Sequence, residues 1–184
     1  MMKLKKISII IPTRNEKDNV GKLSEMIYDV LKGIPYNIVF VDDSTDDTWE
    51  CIEELRQEHP EYNIGGEHRN NGDGLAGAVI RGFSIADGDY YAVMDADLQH
   101  PPEKIIEMYN LWKEGYDIVE GVKASRGEES CFHSFAAKCF YGMISDAVGM
   151  DMSRASDFKL MDRKVINALL TMREKNVFFR ELSF

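Results

Sequence analysis

Hydrophobic positions along this chain switch repeatedly between a period of two or less and a period near 3.6. Ile7-Ser8-Ile9-Ile10-Ile11 is a β-branched run stopped by Pro12, and it predicts a first, central strand. From Asn19 onward Val20, Leu23, Met26, Ile27, Val30 and Leu31 recur at helical spacing until Gly33 and Pro35 close the segment. Ile38-Val39-Phe40-Val41 predicts a second strand, and a helix carrying Trp49, Ile52 and Leu55 inward follows, ended by His59-Pro60. Tyr62 to His68 carries a weak strand signal interrupted by Gly65-Gly66. After the turn-rich Arg69-Asn70-Asn71-Gly72-Asp73-Gly74, the residues Leu75, Ala78, Val79, Gly82, Phe83 and Ala86 predict a helix over 74–86.

The second half repeats the alternation. Tyr90 to Met94 predicts a strand, Lys104 to Glu114 a helix, and Tyr116 to Glu120 a strand, followed by a polar, mobile stretch from Lys123 to Ser130. Phe132, Phe135, Ala136, Cys139, Phe140, Met143, Ile144, Ala147 and Val148 form a wide apolar stripe that predicts a helix over 132–148. That stripe serves either as core or as a partner or membrane surface. Ser156 to Met161 predicts a last short strand, with a helix through Val165, Leu169 and Leu170 after it. Strand, loop and helix in this order, with right-handed crossovers, imply an α/β fold with a mostly parallel central sheet and helices on both faces. The apolar ending Asn176 to Phe184 has no natural stop and predicts a longer chain.

Composition narrows the class. The 184 residues, 44% of them hydrophobic, suit one domain with a sizeable core. A formal charge of -10, from 32 acidic against 22 basic residues, argues against sequence-independent nucleic-acid binding. An acidic chain that binds phosphate does so with a cation or local arginines. Cys51, Cys131 and Cys139 have neither metal-ligand spacing nor an even count, which predicts reduced thiols and a cytoplasmic protein. The longest apolar runs are far too short to span a bilayer, although the protein can still lie against one.

Acidic residues crowd the ends of the predicted strands, where α/β sheets bind ligands. Tyr90-Tyr91-Ala92-Val93-Met94 runs directly into Asp95-Ala96-Asp97. Carboxylates at i and i+2 of an extended chain point to one side and can share a hard divalent cation, with Gln99 supplying a neutral oxygen. The same residues also suit helix capping before Pro101-Pro102-Glu103, and the two readings stand level on these residues alone. Asp42, at the tip of the second strand, reads as a ligand contact, whereas Asp46 and Asp47 read as capping residues. The glycines between Arg69 and Gly74 match neither the P-loop nor the dinucleotide fingerprint.

Four stretches together resemble a known family: Ile11-Pro12-Thr13-Arg14-Asn15-Glu16, Val41-Asp42-Asp43-Ser44, Met94 to Pro102, and Ser156 to Met161. They resemble glycosyltransferase family 2 of the GT-A fold, in its branch of dolichol-phosphate mannose synthase-like and undecaprenyl-phosphate glycosyltransferases. The resemblance implies one catalytic domain over 1–184. It also implies a nucleotide-diphosphate sugar donor, a magnesium or manganese cation, inversion at the anomeric centre and a polyprenyl phosphate acceptor. It implies that Pro12, Arg14 and Glu16 line the nucleotide sugar, that Asp42 contacts base or ribose, and that Arg69 lies near the nucleotide. Asp95 and Asp97 would hold metal and diphosphate, with Gln99 completing the ligands. Arg126 would meet a phosphate of donor or acceptor, and Asp157 would stand near the acceptor; the residue types alone fit a solvated arginine and a turn-capping aspartate equally well. The family often has arginine at Lys123, glycine at Ser156 and Arg-Gly at Arg180-Glu181, so the departures fall on the acceptor side.

The implied setting is the cytoplasmic face of a membrane, reached through a missing C-terminal segment or the 132–148 stripe, and self-association into a homo-oligomer is compatible with it. Two alternatives remain: transfer to a saccharide hydroxyl, with Asp157 as the base, and a non-catalytic nucleotide-sugar binding module. A sugar-nucleotide pyrophosphorylase is disfavoured, because no Gly-x-Gly-x-Arg start occurs between Ile7 and Glu16.

Overall fold

The computed structural model describes residues 5–70, 72, 74–121, the backbone of 135–138, and 158–171. In chain order the elements are β1 (Ile7–Thr13), α1 (Lys17–Val30), β2 (Tyr36–Asp42), α2 (Thr48–Glu58), a single 3-10 turn (Pro60–Tyr62), β3 (Ile64–His68) and α3 (Gly74–Ile85). They continue with β4 (Tyr90–Val93), α4 (Lys104–Lys113), β5 (Ile118–Gly121), β6 (Phe135–Lys138), β7 (Lys159–Asp162) and α5 (Arg163–Thr171). The strands form one sheet in the order β3-β2-β1-β4-β7-β5-β6. β3, β2, β1 and β4 are mutually parallel, while β7 runs antiparallel to both β4 and β5, and β6 antiparallel to β5.

β1 is the axis of the molecule, and its alternation decides which helices go where. Ile7, Ile9 and Ile11 share a core with Val20, Leu23 and Ile27 of α1, Ile52 of α2, and Ile105, Met108 and Tyr109 of α4. Ile10 points to the other face, where Ala78, Val79 and Phe83 of α3 and Val165 and Ile166 of α5 cover it. These four isoleucines are fully buried, a gross contribution of roughly 6–12 kcal/mol from one strand. Helices therefore lie on both faces, as the alternating pattern predicts.

Where boundaries differ from the sequence reading, pairing explains the difference. β2 extends from Tyr36 to Asp42 because its parallel register with β1 runs from Ile7↔Tyr36 to Thr13↔Asp42, and the ladder recruits residues that lack a strand signal of their own. β3 forms despite Gly65-Gly66, and its register with β2 includes Phe40↔Gly66. The last strand is described as Lys159–Asp162, with Phe158 before it outside the ladder, and positions 156 and 157 lie outside the described residues.

The helix predicted over 132–148 is corrected in part: Phe135–Lys138 is a strand, paired from Ile118↔Lys138 to Gly121↔Phe135. A short apolar run does not reveal its period, and the open edge of β5 supplies a ladder that a helix would leave unpaired. The remainder of that stretch, and the polar stretch expected at 123–130, lie outside the described residues.

Gly66 shows why β3 tolerates its glycines. Its φ is 141°, and a Cβ there would collide with the backbone of Phe40. Gly66→Ala is expected to lower the free energy of unfolding by about 2 kcal/mol or more, read as a lower urea midpoint at unchanged slope.

Candidate active site

Because β1 to β4 are parallel, their carboxyl ends share one edge of the sheet. The order 3-2-1-4 places a topological switch between β1 and β4, the position where open α/β sheets bind ligands. Pro12, Arg14 and Glu16 lie at the tip of β1, Asp42 at that of β2, Arg69 just beyond β3, and Asp95, Asp97 and Gln99 just beyond β4. The structure thus brings these predicted residues to one edge. Arg126 and Asp157 lie outside the described residues.

The β2 tip is knitted to its neighbours by Asp42, whose side chain is 0% exposed. Oδ1 accepts from the Thr13 hydroxyl at 2.7 Å and the Ser44 hydroxyl at 2.5 Å; Oδ2 lies 2.7 Å from His68 Nδ1 and 3.3 Å from the Ser44 amide. Asp42 thus supports the surface from beneath. The neighbouring Asp43 holds Arg69, whose Nε and Nη2 donate to its two oxygens at 2.8 and 2.6 Å. A fork-to-fork pair of this kind fixes a guanidinium in orientation as well as position.

The loop after β1 is held by the same surface. Asn15 adopts φ 60°, a left-handed conformation that asparagine tolerates. Its amide donates to Ser44 Oγ at 2.8 Å, and its Oδ1 accepts from the Thr45 amide at 2.9 Å. Glu16 accepts from Asn19 Nδ2 at 2.7 Å and donates its own amide to Thr48 Oγ1 at 3.0 Å. Asp46 is a capping residue, as its sequence position predicts. It accepts from the Thr48 amide at 3.1 Å and the Thr48 hydroxyl at 2.5 Å, and the hydroxyl bond above all holds its carboxyl below the usual range. Asp47 takes the N-cap position of α2 without a side-chain cap bond.

The turn beyond β4 carries the acids. α4 begins five residues past Leu98-Gln99, and its first amides are met by backbone: Lys104 N to Pro101 O at 3.1 Å, Ile105 N to Pro102 O at 3.0 Å and Ile106 N to Glu103 O at 3.2 Å. Capping therefore does not explain Asp95 and Asp97. Asp97 Oδ1 instead accepts the Gln99 amide at 3.0 Å, closing a tight turn around Leu98 at φ 63°. A branched side chain in the left-handed region costs on the order of 1–2 kcal/mol, the kind of strain that persists where a turn must aim ligating groups.

Asp95, Asp97 and His100 each present a ligand atom within 4.8 Å of the others. Two carboxylates and an imidazole at this spacing suit a divalent cation of the manganese type, so the residues present fit the metal expected there. His100 is nearly buried and stacks on Phe158 with centroids 5.1 Å apart at 19°, and its Nδ1 lies 3.8 Å from Asp95 Oδ2.

Residues 8–168 match the family model for glycosyl transferase family 2. The chain belongs to glycosyl transferase family 2. Among its family 2 relatives, the dolichol-phosphate mannosyltransferase of Pyrococcus furiosus is 47% identical over 123 residues, covering 66% of this chain and 34% of that protein. The undecaprenyl-phosphate 4-deoxy-4-formamido-L-arabinose transferase of Yersinia enterocolitica is 34% identical over 182 residues, covering 96% and 54%. A mannosyltransferase from Pyrobaculum calidifontis, solved with GDP-Man and Mn2+, superposes with a TM-score of 0.62 at 19% identity over 91% of this chain and 47% of that one. The likeness confirms the GT-A fold. At 34% and 54% coverage, the chain spans about half, or less, of the length of these curated relatives.

His100, Asp43 and His68 belong to this edge and were not predicted. The spacing of His100 from Asp95 and Asp97 is a usable local signal; His68 reaches Asp42 only through the register of β3 on β2. His100→Ala is expected to weaken manganese binding roughly 10- to 100-fold in direct calorimetric titration, while far-UV circular dichroism stays that of the parent.

Proposed function

We propose that this family 2 chain is the catalytic domain of an inverting, divalent-cation-dependent glycosyltransferase that moves a sugar from a nucleotide-diphosphate sugar to a polyprenyl phosphate. The carrying observation is the Asp95-Asp97-His100 group at the tip of β4, on the same edge as the polar tips of β1, β2 and β3. Relatives named for dolichol phosphate and undecaprenyl phosphate support the acceptor class.

Asp95 and Asp97, with Gln99 and His100 beside them, are the residues to hold magnesium or manganese. A bound cation there supplies positive charge to the phosphate oxygen that the departing sugar leaves behind. Pro12, Arg14, Glu16 and Arg69 line the donor. Asp42, being buried, reaches the nucleoside through the side chains it fixes. Arg126 meets a phosphate of donor or acceptor, and Asp157 stands near the acceptor. A lipid phosphate arrives anionic, so orientation rather than a strong base is what the protein must contribute. A polyprenyl acceptor places the work at the cytoplasmic face of a membrane; no helix among the described residues is long and apolar enough to cross one.

The full-length protein incubated with manganese, labelled nucleotide sugars and either polyprenyl phosphate or an oligosaccharide is expected to move label into the lipid phase. Label passing to the oligosaccharide instead would favour a hydroxyl acceptor, and nucleotide binding without hydrolysis or transfer would favour a non-catalytic module. Asp97→Ala is expected to abolish metal-dependent nucleotide binding; a calorimetric trace unchanged from the parent would refute its assignment.

A further inference from the structure

His100 owes only part of its placement to its own chain. Pro101 follows it and confines its backbone to the extended region. The torsion that turns an imidazole about its Cβ–Cγ bond is broad, so the plane of the ring is set by what lies against it. Phe158 lies against it. The two rings are close to parallel, 19° apart with centroids at 5.1 Å, and both are buried. In a close-packed interior neither ring turns without displacing its neighbours. The Nδ1 of His100 stands 3.8 Å from Asp95 Oδ2, too long for a hydrogen bond and suited to two atoms that share a cation.

The ring of Phe158 is itself seated by a glycine. Gly121, the last residue of β5, donates its amide to the Phe158 carbonyl at 2.9 Å. A Cβ at Gly121 would fall 2.9 Å from Phe158 Cδ1 and 3.2 Å from Met108 Cε. The space that the phenyl ring fills therefore exists because position 121 carries no side chain. The end of β5 and the cation turn are thus linked through one aromatic ring.

Resting on the cation reading of Asp95, Asp97 and His100 above, we propose that Phe158 is a positioning residue for the cation, acting through His100, and that Gly121 is the seat that permits it. Phe158 ligates nothing. Its flat face restricts the imidazole to the plane in which a ring nitrogen joins the two carboxylates, so less freedom is lost when a cation binds. An aliphatic side chain would fill the volume without offering that face.

The test is a double-mutant cycle on the full-length protein, with manganese alone as the probe and the resonance of free Mn2+ as the readout. Phe158→Leu is expected to weaken manganese binding about tenfold. In a His100→Ala background the same substitution is expected to change the affinity by less than about twofold, because the group it acts through is gone. Gly121→Ala, whose methyl displaces the ring, should show the same dependence on His100. A role confined to packing would cost the same in both backgrounds. Equal losses, or parent-like affinity in Phe158→Leu, overturn the proposal. Parent-like affinity in His100→Ala also overturns it and leaves Asp95 and Asp97 standing as the cation site. A parent that takes up no manganese overturns the cation reading together with the proposal. Thermal melts establish that each variant is folded, and should Phe158→Leu not fold, Gly121→Ala in the two backgrounds decides the same question.

Discussion

Everything at the functional edge depends on one carboxylate kept out of water. Asp42 sits at 0% exposure among Thr13, Ser44 and His68, so a single side chain ties together the tips of β1, β2 and β3. Burying such a group without partners would cost several kcal/mol, and here each oxygen has at least two contacts. The same economy makes it brittle: the tips are not independently held, so a change at one strand end is transmitted to the other two. Asn15 extends the network into the loop after β1, where its left-handed backbone and its bonds to Ser44 and Thr45 stand or fall together.

Two local features then divide the work of the edge. On one side, side chains are paired before any ligand arrives, with Arg69 on Asp43 and His68 on Asp42. On the other, the turn of Asp95 to His100 stores backbone strain at Leu98 and gathers three ligating groups into a span that one cation can bridge. The first arrangement is stable as it stands. The second gathers like charges, Asp95 and Asp97, and a bound cation would relieve their repulsion.

The layered α/β plan was legible because β1's isoleucines and the stripes of α1 and α3 obey their periods closely, and because propensity and burial agree there. Legibility failed where pairing overruled pattern. Nothing in Phe135-Ala136-Ala137-Lys138 distinguishes strand from helix; the free edge of β5 decides. At the site, Asp95 and Asp97 announced themselves by spacing within one turn. His68 and Asp43 did not, since each acquires meaning from a residue 26 positions away that only the parallel register of β2 and β3 brings near. Arg126 and Asp157 were named from family resemblance, and the described residues bear on neither.

The reversed direction of β7 has a consequence of its own. Val93 at the end of β4 is opposite Lys159 at the start of β7, so the chain must enter β7 at the rim where β4 leaves it. Phe158 meets His100 for that reason and not through any nearness in sequence. Topology alone thus makes the entrance to this strand a tuning point: replacements there can reshape the cation turn while the hydrogen-bonded ladder, anchored further along, stays as it was.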